Sequence, residues 1–83
     1  MKTGDLVIPA YAEPMAHEYM HPTFLNRGRS RSWKTGQVAL VVAMGTRYVG
    51  GHEVLKLQIL LDGELWWVGA SQAKLVDEKN ETR

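Results

Sequence analysis

The chain has 83 residues, material for one domain, because a chain of this size buries only about 60% of the surface it exposes when unfolded; any catalytic cleft would be shallow or shared between subunits. The absence of cysteine excludes disulfide staples, thiol catalysis, iron–sulfur clusters and thiolate zinc sites. Ten Lys plus Arg against nine Asp plus Glu leave a formal charge of +1, too small to argue for a polyanionic partner through net charge alone.

In chain order, the first expected element is a short strand, Gly4-Asp5-Leu6-Val7-Ile8-Pro9, entered through a turn and stopped by a proline that cannot donate to a ladder. Residues 9–35 show no sustained hydrophobic period and read as a long loop excursion, longer than the usual connection inside a compact domain. Within it, residues 14–21 predict a short helix with Pro14 near its first position and Pro22 as its stop. Tyr11, Met15, Tyr19, Met20, Phe24 and Leu25 give the excursion apolar groups to lay over the domain. Residues 36–44 predict a strand, with Val38, Leu40, Val42 and Met44 on one face and Ala39, Val41 and Ala43 on the other. Residues 45–52 read as a glycine-punctuated loop.

Residues 54–61 predict the next strand, Asp62-Gly63 a two-residue turn, and residues 64–68 its antiparallel return. That turn sets the register: Leu61 opposite Glu64, Leu60 opposite Leu65, Ile59 opposite Trp66, Gln58 opposite Trp67, Leu57 opposite Val68. Leu57, Ile59, Trp66 and Val68 then form a core face. Leu60, Leu65 and Trp67, beside Lys56 and Gln58, form a mixed face that either receives the excursion or meets a partner. Residues 70–73 predict one turn of 3₁₀ helix and residues 74–76 a short closing strand. A domain over residues 1–77 with a charged tail at 78–83 completes the organisation. The start of the chain lacks an apolar signal core, and the longest apolar stretch, 38–44, is too short for a bilayer. The expectation is therefore a cytoplasmic protein without a membrane partner.

This order of elements resembles the SH3-like barrel: an opening Gly-Asp-Leu-Val strand, a long first loop, two longer strands, a tight Asp-Gly hairpin, a 3₁₀ turn and a short last strand. The resemblance implies an all-β fold, a small five-stranded barrel. More narrowly, Met1-Lys2-Thr3-Gly4-Asp5-Leu6-Val7, Gly36-Gln37-Val38-Ala39-Leu40-Val41-Val42, and Leu61-Asp62-Gly63 followed by Trp66-Trp67-Val68 resemble small barrel proteins of tailed bacteriophages, including those of marine cyanobacteria. The likeness covers residues 1–8 and 36–77, and residues 9–35 exceed the usual first loop. It implies no catalytic residues, and a phage-encoded protein would act in the host cytoplasm. Barrels of this class bind peptides or nucleic acid through the first loop, the next loop and nearby aromatics, which here are Arg27 to Lys34, Arg47-Tyr48 with Gly50-Gly51, and Trp33 and Trp67.

Three motifs carry candidate chemistry. His17-Glu18-Tyr19-Met20-His21 matches the zincin pattern, in which one helical turn brings two imidazoles to a zinc ion while the glutamate activates water. Pro22 and the short helix make coincidence the better reading, so no metal or cofactor is expected, with His17, His21 and His52 as the weak ligand candidates. The basic run Arg27, Arg29, Arg31 and Lys34, with Trp33 beside it and Arg47 elsewhere, offers guanidinium groups to phosphates and an indole to a base. Its bland alternative is a solvated loop whose arginines pair with the acidic tail while Trp33 covers the core. Trp66 and Trp67 must leave a strand by opposite faces. The favoured function is a non-enzymatic protein-interaction or structural module, self-association included, acting through Leu60, Leu65 and Trp67. The alternative is nucleic-acid binding through Arg27, Arg29, Arg31, Trp33, Lys34 and Arg47.

Overall fold

A computed structural model describes residues 1–19 and 28–76, with only the backbone of Val49. Its strands are β1 (Leu6–Pro9), β2 (Met15–His17), β3 (Ser30–Ser32), β4 (Ala39–Val49), β5 (His52–Leu61), β6 (Glu64–Gly69) and β7 (Ala73–Leu75), with a 3₁₀ turn at Ala70–Gln72. They form one antiparallel sheet in the order β3-β2-β6-β5-β4-β1-β7, curled into a half-barrel. The all-β expectation holds, and the count of strands is corrected from five to seven. The five expected strands are β1, β4, β5, β6 and β7, whereas β2 and β3 arise from the segment read as an excursion.

Those two added strands replace the helix expected from residue 14. Glu13 has φ of 40°, which turns the chain sharply just ahead of Pro14, where a helix start would need an extended capping residue. A helix of barely two turns is also marginal on its own. The edge of β6 offers backbone partners instead: His17 pairs with Trp67, and β2 pairs with β3 from Met15–Ser32 to His17–Ser30. Further ladder-like bonds extend this hairpin, with Trp33 N–H donating to the Pro14 carbonyl at 2.9 Å and Glu18 N–H to the Arg29 carbonyl at 2.8 Å. Residues 20–21 of the expected helix lie outside the described residues.

The Asp62-Gly63 hairpin forms in the expected register through all five pairs and adds Lys56 opposite Gly69. Both turn residues have positive φ, 53° and 80°, as the tight turn that matches strand twist requires. The 3₁₀ turn and closing strand form within one residue of the expected bounds, at Ala70–Gln72 and Ala73–Leu75. Residues 45–49 are corrected from loop to strand: β4 runs on to Val49, pairs with His52, and turns at Gly50-Gly51, whose φ values are 58° and 83°. A bulge lies between Val41 and Ala43. The expected alternation therefore fails past Val41, since the extra residue Val42 puts Ala43 opposite Gln58 and Met44 opposite Leu57.

The inner face of the curl holds the core: Val7, Ala39, Val41, Leu57, Ile59, Leu61, Trp66, Val68 and Ala73 from the strands, with Ala16 from β2. Trp33, just past β3, is fully buried among them. Its indole N–H donates to the Gln37 carbonyl at 2.8 Å, which satisfies the one polar atom such a ring brings inside. The apolar groups expected to cover the domain are corrected in part: Tyr11, Met15 and Tyr19 are exposed, while Pro9, Pro14, Ala16 and Trp33 are the buried residues among those described in that region. Met20, Phe24 and Leu25 lie outside the described residues.

Candidate interaction face

Residues opposite each other in neighbouring strands share a face, so the ladder pairs can be followed across the outer side of the sheet. Leu6 of β1 faces Leu40 of β4, Leu40 faces Leu60 of β5, and Leu60 faces Leu65 of β6. Four leucines thus form one unbroken row across four strands, spanning about 14 Å at the usual strand separation. The row is open to solvent: Leu6 is 51% exposed, Leu60 38% and Leu65 48%. On one side the next row is Ala43, Gln58, Trp67 and His17, from β4 to β2, with Trp67 half-buried. On the other side Ile8 and the exposed Val38 continue the apolar surface.

The charged side chains that the described strands place on this face are basic. Lys56 lies opposite Gly45 on one side and Gly69 on the other, Arg47 lies on the diagonal from Lys56, opposite Val54, and Lys74 lies opposite Ile8. Among the described strand residues, Glu53 and Glu64 instead share the inner face with Tyr48 and Leu61. Partial burial lowers the His17 imidazole from its ordinary value, and the nearby Lys56 and Arg47 cations add to that shift. Lys56 is lowered for the same two reasons, burial first and then the Arg47 charge. Three basic groups from β2, β4 and β5 are therefore electrostatic neighbours at one end of the face.

The basic run behaves differently. Arg29 donates to Glu18 at 3.2 Å and to Glu64 at 3.4 Å, and its guanidinium lies 5.2 Å from the Trp66 ring centre. Arg31 pairs with Asp62 at 3.0 Å and sits 6.0 Å from the same ring. Gln37 donates its amide to Asp62 at 3.0 Å and accepts from the Lys34 N–H at 3.1 Å. These arginines are spent on local acidic groups that clamp the β2–β3 hairpin and the β5–β6 turn together. Trp33 is buried and cannot stack on a base, Lys34 is exposed, and Arg27 lies outside the described residues. Arg47 stands on β4, separated from β3 by β2, β6 and β5, so the structure does not bring it to the run. The expected pairing with the acidic tail falls on residues 77–83, outside the described residues.

The zincin reading fails on geometry through residue 19. His17 is in a strand and faces outward beside Trp67, while its neighbour Glu18 points to the other side and holds Arg29. His52 is at the far end of the β4–β5 hairpin, and His21 lies outside the described residues. No cluster of three metal-ligating side chains occurs among the described residues, and no described helix is long and apolar enough to cross a membrane.

Of the residues singled out in the sequence, the structure brings Leu60, Leu65 and Trp67 onto one face, with Lys56 and Gln58 between and beside them. Sequence reasoning missed Leu6 and Leu40, whose membership depends on β1 pairing with β4 across a large sequence separation. The signal that was present and passed over is Gly50-Gly51, a known two-residue hairpin turn, which would have brought Arg47 opposite Val54. No family model, curated protein or solved structure matches the chain.

Proposed function

We propose that the protein is a non-enzymatic interaction or structural module, built on an SH3-like framework and acting through the outer face of its sheet. The observation that carries this reading is the solvent-open row Leu6, Leu40, Leu60 and Leu65 with Trp67 beside it. A small domain gains stability by burying side chains of this kind, and contiguous exposed apolar surface marks an association site. The β4–β5–β6 meander, the 3₁₀ turn and a last strand returning beside β1 support the SH3-like framework. On the sequence resemblance alone, the proposal extends to kinship with the small barrel proteins of tailed phages and to action in the host cytoplasm. The nucleic-acid reading of the basic run loses support from the engagement of Arg29 and Arg31 and the burial of Trp33.

The test compares the wild-type chain with Leu65→Ser and Trp67→Ser in sedimentation across a concentration series and in capture of host proteins on a solid support. Association or capture that both substitutions abolish is expected. Association that survives both substitutions would place docking elsewhere and overturn the assignment.

A further inference from the structure

Resting on that reading, we propose that the outer face docks an acidic amphipathic segment of another protein, its apolar side chains on the leucine row and its carboxylates toward Lys56 and Lys74. The first support is charge complementarity. Among the described strand residues, Lys56, Lys74, Arg47 and the two histidines of β2 and β5 share the outer face, while Glu53 and Glu64 are on the inner one together with Arg31. A partner that buries the leucines must bring its rim close to Lys56 and Lys74, and opposite charge there sets orientation and speeds encounter. Two copies of this chain placed face to face would oppose basic surface to basic surface, which disfavours self-association through this face.

The second support is Gln58. Its amide stands in the middle of the face, between Ala43 and Trp67, one position from the leucine row. Hydrocarbon pressed over it would strip its water without replacing the hydrogen bonds, a penalty that counts against an anionic bilayer as the occupant. A polypeptide can answer the same amide with backbone or side-chain groups. The residues directly opposite Lys56 on both neighbouring strands are glycines, Gly45 and Gly69, which leave room for an incoming carboxylate to approach it.

Fluorescence anisotropy of the full chain tests the proposal with a labelled peptide whose leucines form one stripe and whose other positions are mostly glutamate, against the same peptide with lysine for glutamate. The glutamate peptide should bind at least about tenfold more tightly, a gap of about 1.4 kcal/mol. Leu65→Ser should weaken that binding by about the same factor, and Lys56→Glu should erase or reverse the charge preference. Equal binding of the two peptides, or tighter binding to phosphatidylglycerol vesicles or to a labelled single-stranded oligonucleotide, overturns the proposal. If no peptide binds but sedimentation shows association that Leu65→Ser removes, the acidic partner is wrong and the docking face stands. If neither occurs, both fall together.

Discussion

Trp33 and Trp67 show how far a single residue's role depends on distance along the chain. Trp67 could be placed outside from local facts alone, because a two-residue turn and strict alternation separate it from Trp66. Trp33 sits next to three basic residues and looks like a surface aromatic, yet it fills the curl of the sheet, hydrogen-bonded to Gln37. Its burial depends on Pro14, Ala16 and the distant strands meeting around it, which no local pattern announces. Trp33→Ala should therefore cost about 3–5 kcal/mol in urea denaturation, the usual loss for a large buried aromatic, while Trp67→Ser costs a fraction of that. Gly63 gives a cleaner case: its φ is 80° and an added Cβ would meet nothing within 4 Å. Gly63→Ala should then lose roughly 1–2 kcal/mol from backbone strain alone, read as a shift of the denaturation midpoint at unchanged slope.

At the scale of elements, the β5–β6 hairpin was legible to the residue because its turn, its pattern and its partner are all adjacent. The β2–β3 hairpin was not, since its sequence is short, broken by prolines and stabilised by an edge supplied from β6. Its clamp is electrostatic: the Arg29 backbone N–H, then the Arg29 side chain, hold the Glu18 carboxyl below the usual glutamate range. A carboxylate lowered by folding contributes stability above the ordinary carboxylate range and loses it as pH falls through its folded value. The protection of the Arg29 amide proton, its exchange rate by NMR relative to an unstructured peptide at the same pH, should fall on acidification before that of the rest of the sheet, and Glu18→Gln should show low protection already at neutral pH. The outer face offers a second electrostatic check. Lys56→Gln should raise the His17 titration toward its ordinary value, because the Lys56 cation is one cause of its lowering; no change would mean that the two side chains do not share a face.

For the molecule as a whole, one sheet carries a buried core on one surface and a solvent-open apolar row on the other, and substitutions should separate them. Leu57→Ala, on the inner side, should cost about 2–5 kcal/mol, whereas Leu65→Ser on the outer side should leave the denaturation midpoint nearly unchanged. The fold class was visible from strand patterning and turn chemistry, but the seven-strand order was not, because it depends on pairings between β1 and β4 and between β2 and β6 that join segments far apart in sequence. The bulge at Val42 was equally hidden, since an extra residue leaves the alternation of a uniformly apolar strand unchanged to the eye. Beyond Gly45 and Lys56, β4 and β5 pair only with each other among the described strands. A ribbon with no third strand is scarcely stable by itself, so residues 46–55 should surrender their amide protons first among the paired strands, and excising them in favour of an Asn-Gly link from Gly45 to Lys56 should leave the other described strand pairings in place. The tip at Gly50-Gly51 is thereby the insertion point at which a foreign peptide would disturb the described ladder least.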